Sequence, residues 1–318
     1  MAINLISVGL SVMGSLRDPG RWLADQPGLV DVITRERPHE LRPGGAGGSA
    51  EMSAWLSAAF ASPAQLGDDP AGATDLAAVV ETVQPGRWPS IVSGELKTLA
   101  RMPGTGYPLA RADTAVLVCS DTTGGLLAGL WNAVALTGGD LSRVGYLARP
   151  DAPLGPVRGR ALVVRVPGLD AGEEDGFRRA MGGLGTLGRN LLQSGELRQA
   201  EPILFCLTGG YKATMPYLIG LAEGLRSLDA GHPVDAFVTH ETAGQQALPI
   251  RLPLRRLVAS QVEQELSGFD ASGERAAVPR PALLNGYAYD LADGRCTLTA
   301  FGEGLRALFG VSPERAGG

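Results

Sequence analysis

Lys and Arg together number 28 in this chain, yet only two are lysines, and each stands in a short glycine-containing segment. Lys97 closes Ser93-Gly94-Glu95-Leu96-Lys97, and Lys212 closes Thr208-Gly209-Gly210-Tyr211-Lys212. An ammonium is a compact charge on a flexible stem, whereas a guanidinium is a bulky planar fork. A chain that writes Arg almost everywhere else therefore points to Lys212 as an anion-binding or catalytic group. A compositional bias towards Arg is the competing explanation, and it suits Lys97 better. Two further segments share the chemistry around Lys212: Ser7-Val8-Gly9-Leu10-Ser11, and Ser120-Asp121-Thr122-Thr123-Gly124-Gly125. Like Thr208 to Thr214, each follows an apolar run and joins glycine, which lets backbone N–H groups approach an anion, to hydroxyl side chains and a following helix. Together they describe a site for a polyanionic, phosphate-bearing ligand.

The spacing excludes the commonest phosphate loops. Nothing fits G-x-x-x-x-G-K-[ST], and the first loop lacks G-x-G-x-x-G, which leaves an NAD-type enzyme as a runner-up only. His39, His232 and His240 have no closely spaced Cys, so no metal site and no resident cofactor are expected. Among the acidic residues near these loops, Asp121 belongs to the second loop, while Glu51 and Glu95 read as helix-start or structural carboxylates.

The elements that must position these loops are legible in outline. Apolar runs rich in Val, Ile and Leu recur at residues 3–8, 115–119, 161–166, 203–207 and 236–239, separated by helical patterns. Continuous runs suit strands covered on both faces, which predicts a Rossmann-like α/β fold with a doubly wound, mainly parallel sheet over residues 1–250. In such a sheet ligands bind beyond the carboxyl ends of the strands, where all three loops fall. The stretches 42–48 and 67–72 read as turn-forming loops. Residues 251–318 predict a small second unit: a helix over 255–266, a hairpin turning at Ala292-Asp293, and a helix over 300–309. That order suggests a reduced winged-helix-like appendage. Its eight basic and eight acidic residues balance to zero, so direct DNA binding is weakly supported, and a dimerising or lid-forming role competes with it.

Bulk properties set the context. A hydrophobic content of 44% is ample for a sizeable core, and the 45 glycines and 22 prolines follow no fixed period. A net charge of -5 argues against a surface that tracks nucleic acid and leaves room for a local basic pocket. Cys119, Cys206 and Cys296 show no C-x-x-C spacing and read as core residues in a reducing compartment. The amino-terminal residues begin directly with a strand pattern, and no apolar run reaches the length of a membrane span, so a cytoplasmic protein without a membrane partner is expected.

Thr208-Gly209-Gly210-Tyr211-Lys212, directly after an apolar strand, resembles the T-G-G-[FY]-K signature of CRISPR-associated Rossmann-fold (CARF) proteins, in particular the group of archaeal ring nucleases and the sensor halves of Csm6-like ribonucleases. Ser7-Val8-Gly9-Leu10-Ser11 resembles that family's opening V-G-T-S, Ser93-Gly94-Glu95-Leu96 its S-A-E-[LI], and Ser120-Asp121-Thr122 its S-D-T. His240-Glu241 leading to Leu248-Pro249 resembles the end of its domain. Leu10 and Gly94 depart from the pattern, and the first departure removes a hydroxyl and leaves Ser11 to carry that loop. The resemblance implies a homodimer that binds a cyclic oligoadenylate, most often the tetramer, around a two-fold axis. A nearly two-fold ligand suits such an isologous interface. It further implies ligand contacts from Gly9, Leu10, Ser11, Ser120, Asp121, Thr122, Thr123, Thr208, Gly209, Gly210, Tyr211, Lys212 and Thr214, with Tyr211 either packing on adenine or filling the core.

Effectors of this group carry a HEPN ribonuclease marked by an Arg and a His with four to six residues between them. No histidine follows His240, and Arg226 to His232, which has that spacing, reads as a turn before a strand. Three readings remain. The favoured one is a metal-independent ring nuclease of type III CRISPR antiviral signalling, with Lys212 and Ser11 catalytic. The alternatives are a non-catalytic sensor and a ligand-gated transcription regulator acting through residues 251–318.

Overall fold

The computed structural model describes residues 2–25, 27–36, 48–61, 88–170, 174–198, 200–210, 212–228, 231–239, 248–276 and 279–314. Loop residues 42–47 and 67–72, together with Tyr211, His240 and Glu241, lie outside them. The fold is α/β, built on one seven-stranded, mostly parallel sheet of Rossmann-like type. Its strands are β1 (Ile3–Ser7), β2 (Thr114–Cys119), β3 (Val144–Leu147), β4 (Ala161–Arg165), β5 (Ile203–Cys206), β6 (Val234–Val238) and β7 (Ile250–Leu252), arranged in the order β3-β4-β2-β1-β5-β6-β7. All pairings are parallel except β6 with β7.

The apolar runs become strands because both faces of the sheet are covered. Along β1, Ile6 packs with one core cluster while Ile3 and Leu5 pack with the other, the alternation a pleated strand imposes. One face carries α1 (Ser11–Arg17), α2 (Pro19–Trp22), α3 (Pro27–Glu36), α4 (Ser49–Ala61), α5 (Gly94–Leu99) and α6 (Thr123–Thr137), with Val12, Leu16, Leu126 and Trp131 in its core. The other carries α7 (Glu174–Gln193) and α8 (Met215–Leu228), through Leu184, Leu187, Leu221 and Leu225. The chain thus leaves β1 towards one face and the adjacent β5 towards the other. That makes the crevice between their following loops the topological switch point.

Two of the sheet's strands were not foreseen. β3 is only four residues long, and β7 is a three-residue edge strand flanked by Pro249 and Pro253, too short to register as a run. Because β7 spans residue 250, the expected boundary falls inside the sheet's last strand. The three cysteines are buried, as their apolar surroundings suggest. Arg226 gives Nη1–H to the Leu254 carbonyl at 3.0 Å, while His232 Nδ1 lies 3.0 Å from the Glu201 carbonyl, so each is tied to backbone. Among the described residues, no helix is long and apolar enough to cross a membrane.

Beyond β7 come α9 (Ala259–Leu266), a small sheet of β8 (Glu274–Arg275), β9 (Tyr289–Ala292) and β10 (Arg295–Leu298), and α10 (Ala300–Phe309). Asp293 and Gly294, both at positive φ, close the β9–β10 hairpin as a type I′ turn requires. The first helix starts at Ala259 rather than 255 because the preceding segment is clamped to α8. The buried Glu223 carboxylate accepts from Arg255 N–H and Nε–H at 3.0 Å, Arg255 Nη2–H at 2.9 Å and the Tyr287 hydroxyl at 3.0 Å, and Ser227 Oγ accepts from Leu257 N–H at 2.8 Å. Thr299 caps α10, which lies on α7 and α8 through glycines. A β-carbon on Gly185 would overlap the Gly304 carbonyl, and one on Gly220 would overlap the Phe301 ring. Phe301, Leu305 and Leu308 are buried there. Gly185→Ala is therefore expected to lower unfolding free energy by about 1–3 kcal/mol, the usual cost of overpacking, read as a shift of the urea midpoint with the far-UV circular dichroism unchanged.

Candidate functional site

At the carboxyl end of β1 the chain meets α5 and the loop after β5 around one carboxylate. Glu95 is fully buried, and its Oε1 accepts the Gly9 N–H at 2.6 Å while its Oε2 accepts the Ser11 hydroxyl at 2.7 Å. Ser11 Oγ in turn accepts the Gly94 N–H at 3.1 Å. Gly209 presses on the same group so closely that a β-carbon there would overlap the carboxylate. Gly210, at φ +95°, adopts a backbone that favours glycine and sits against Ser7. Segments 7–11, 93–95 and 208–210 are in direct contact. The 120–125 loop joins them where Leu10, itself 58% exposed, lies over Gly124.

The local sequence dictates this placement. Ser93 is the N-cap of α5: its Oγ accepts the Leu96 N–H at 3.0 Å and donates to Asn132 Oδ1 at 2.7 Å, which ties the helix start to buried α6. Glu95 then falls on the face shared with Thr98, Leu99 and Met102, at i, i+3, i+4 and i+7, all of them buried. Thr98 locks that face to the sheet. Its hydroxyl donates to the Gly94 carbonyl at 2.8 Å and lies 2.7 Å from the Thr208 hydroxyl and 3.0 Å from that of Thr239, while Thr208 Oγ1 accepts the Thr239 N–H at 2.9 Å.

The anticipated site residues thus divide. Gly9 turns its N–H inward to Glu95, and Thr208 turns its hydroxyl inward to Thr98 and Thr239; both hold the loops. Leu10 and Ser11 are exposed at the crevice, Gly209 and Gly210 line it half-buried, and exposed Lys212 opens the 3-10 turn Lys212–Thr214, whose Thr214 is buried. In the second loop, Thr122 caps α6 by accepting the Gly125 N–H at 3.0 Å, Ser120 Oγ lies 3.0 Å from its hydroxyl, and Thr123 is the half-buried first residue of that helix. Asp121 points towards β4, accepting Arg165 Nε–H at 2.7 Å and the Gly168 N–H at 3.1 Å. Desolvation pushes its carboxyl up, but the Arg165 hydrogen bond, the Gly168 N–H and the Arg165 charge outweigh it and hold the group below the ordinary aspartate range. Sequence reasoning missed the central position of Glu95 and the roles of Thr98 and Thr239. The buried-face spacing of Glu95 with Leu99 and Met102 was the available signal.

Burial raises the Glu95 carboxyl above the ordinary glutamate range, and the Gly9 N–H and the Ser11 hydroxyl offset only part of that effect. Ser11 spends its single proton on Glu95, so towards a ligand its oxygen can only accept. The exposed Ser11 oxygen and the half-buried Gly209 and Gly210 backbones thus share one crevice, and exposed Lys212 follows Gly210 by two residues. No protein-family model matches the chain, and no curated protein matches it.

The raised Glu95 has a thermodynamic signature. The folded state holds its proton more tightly than the unfolded chain, so this group's contribution to stability declines as pH rises from about 4.3, the ordinary glutamate value, through its folded pKa, and then levels off. Glu95→Gln removes that decline. Urea denaturation of both proteins from mildly acidic to neutral pH should show wild-type stability falling relative to the variant with rising pH; parallel curves would contradict a raised Glu95.

Proposed function

We propose that this protein binds a cyclic oligoadenylate, with cyclic tetra-adenylate as the first candidate, in the crevice between the β1 and β5 loops, and cleaves it as a metal-independent ring nuclease of type III CRISPR antiviral signalling. Two copies meet around a two-fold axis so that each presents the same loops to a nearly two-fold ligand. The observation that carries this reading is the meeting of Ser11, Gly209 and Gly210 at the topological switch point, on the loop that runs on to Lys212. A hydroxyl acceptor near half-buried glycine backbone, with a lysine two residues further along the loop, fits a ribose next to a phosphate.

The chemistry follows from those groups. Ser11 accepts a hydrogen bond from the ribose 2′-OH and thereby orients its oxygen towards the neighbouring phosphorus. Lys212 stabilises the charge that develops on the phosphorane oxygens. Attack on the ribose's own 3′-phosphate expels the next 5′-oxygen, and two such events give linear di-adenylate ending in 2′,3′-cyclic phosphate. The nucleophile is part of the substrate, so positioning and charge stabilisation suffice.

The regulator alternative draws on residues 251–318 as a winged-helix-like reader of DNA. Their helix, hairpin, helix order suits it, and Arg295 is exposed on β10. A reading helix must present free donors to the groove, whereas the one cation of α10, Arg306, is buried and donates to the Asp270 carbonyl at 2.7 Å and to Glu303 Oε2 at 2.8 Å. We therefore assign this unit to bracing that side of the sheet.

Incubation of purified protein with cyclic tetra-adenylate in EDTA, followed by mass spectrometry, tests the proposal. Linear di-adenylate cyclic phosphate is expected, and Lys212→Ala should lower kcat by about 100- to 1,000-fold, as loss of an oxyanion-stabilising donor does. Intact ligand after prolonged incubation would remove the enzymatic reading, and an unimpaired variant would remove the role of Lys212.

A further inference from the structure

Ring cleavage by a 2′-OH must release a proton from that hydroxyl, and among the described residues neither side chain assigned to the ligand is a free base: Ser11 is a neutral hydroxyl and Lys212 a cation. The structure places a carboxylate one hydrogen bond behind the surface. Glu95 Oε2 lies 2.7 Å from Ser11 Oγ, Glu95 is fully buried, and Ser11 is exposed. The Gly94 N–H at 3.1 Å fixes the serine oxygen from a second direction, and the Gly9 N–H at 2.6 Å fixes the other carboxylate oxygen. The pair is therefore held in one geometry, with the remaining lone pair of Ser11 available to the ligand.

We infer that Glu95 is the proton acceptor for ring cleavage, reached through Ser11. The inference rests on the ring-nuclease reading above. As the 2′-oxygen forms its bond to phosphorus, the 2′-OH proton passes to Ser11 Oγ and the Ser11 proton passes to Glu95 Oε2. The bond from phosphorus to the 5′-oxygen breaks with its electron pair, and the departing 5′-oxygen takes a proton from water. Glu95 returns its proton to solvent by the reverse path after the product leaves. Ser11 is the residue that touches substrate, and Glu95 acts through it.

The surroundings of Glu95 leave it the ionisable member of this chain. Facing it are Cys119 of β2 and Cys206 of β5, whose thiols are pushed up by burial and by the Glu95 charge, Cys206 to about 12, so both stay neutral. On α5 itself the other ionisable group is Lys97, held below the ordinary lysine range by desolvation and by Arg101. A buried carboxyl raised in pKa is also a stronger base once ionised, which suits proton abstraction near neutral pH.

The test is the pH dependence of kcat for wild type, Glu95→Gln, Ser11→Ala and the double variant, all with cyclic tetra-adenylate in EDTA and with binding measured separately by calorimetry. Wild-type kcat should rise with pH along one acidic limb. Glu95→Gln should lose that limb and drop in kcat by about 100-fold or more, the contribution of a general base, with KM little changed. Because the two residues act in series, the double variant should be no slower than Ser11→Ala. A Glu95→Gln protein that keeps the wild-type kcat and its acidic limb overturns the relay alone, as do losses that multiply in the double variant. Wild-type protein that binds the ligand without cleaving it overturns the relay and the ring-nuclease reading together.

Discussion

A carboxylate buried without a paired cation is among the costliest groups a fold can hold, and here the loops at the carboxyl end of the sheet are organised around one. Glu95 receives the Gly9 N–H and the Ser11 hydroxyl, and the loop after β5 closes over it. That demand explains residue choices that look unrelated in the sequence. Gly209 has no room for a side chain, Gly210 needs positive φ to pass Ser7, and Ser93 must anchor α5 to Asn132 so that the first turn delivers the carboxylate inward. The same interaction decides which groups face solvent, since it consumes the Gly9 N–H and the Ser11 proton.

The remainder of the molecule keeps that end of the sheet rigid. At the opposite end, Asp113 accepts the Ala2 N–H at 2.8 Å, and Arg143 donates to the Gly159 carbonyl at 2.7 Å and to the Leu109 and Ala110 carbonyls at 3.1 Å, so charged groups there are spent on backbone. On one face, α10 presses into glycine-lined α7 and α8 while Glu223 grips the connecting segment. Desolvation pushes the Glu223 carboxyl up, yet the Arg255 hydrogen bonds and charge outweigh it and hold the group below the ordinary glutamate range. Opposite solutions to carboxylate burial thus coexist: Glu223 is neutralised by Arg255 and braces, whereas the partners of Glu95 among the described residues are neutral.

Legibility in the sequence tracked length and context. The five long apolar runs announced their strands, and the alternation on either side announced the hairpin, although its turn falls at Asp293-Gly294, one residue beyond the expected Ala292-Asp293. β3, β7 and β8 were too short to carry a pattern, and their pairing depends on partners far along the chain. The glycine-rich loops were recognisable as a group. Their division into outward-facing and inward-facing members was not, since a Gly9 amide turned to Glu95 and one turned to solvent have the same sequence. Glu95 passed for a helix-start carboxylate because the first turn of a helix favours negative charge whichever way it points. Only its spacing with Leu99 and Met102 marked the buried face.

The central claim is that a cyclic oligoadenylate is held at the β1/β5 crevice by the loops that Glu95 organises. Amide hydrogen exchange with and without cyclic tetra-adenylate tests it most directly. The account predicts added protection in peptides covering residues 8–14 and 207–215, with the α7–α10 side unchanged. Protection confined to the C-terminal unit, or no change anywhere at saturating ligand, would contradict it.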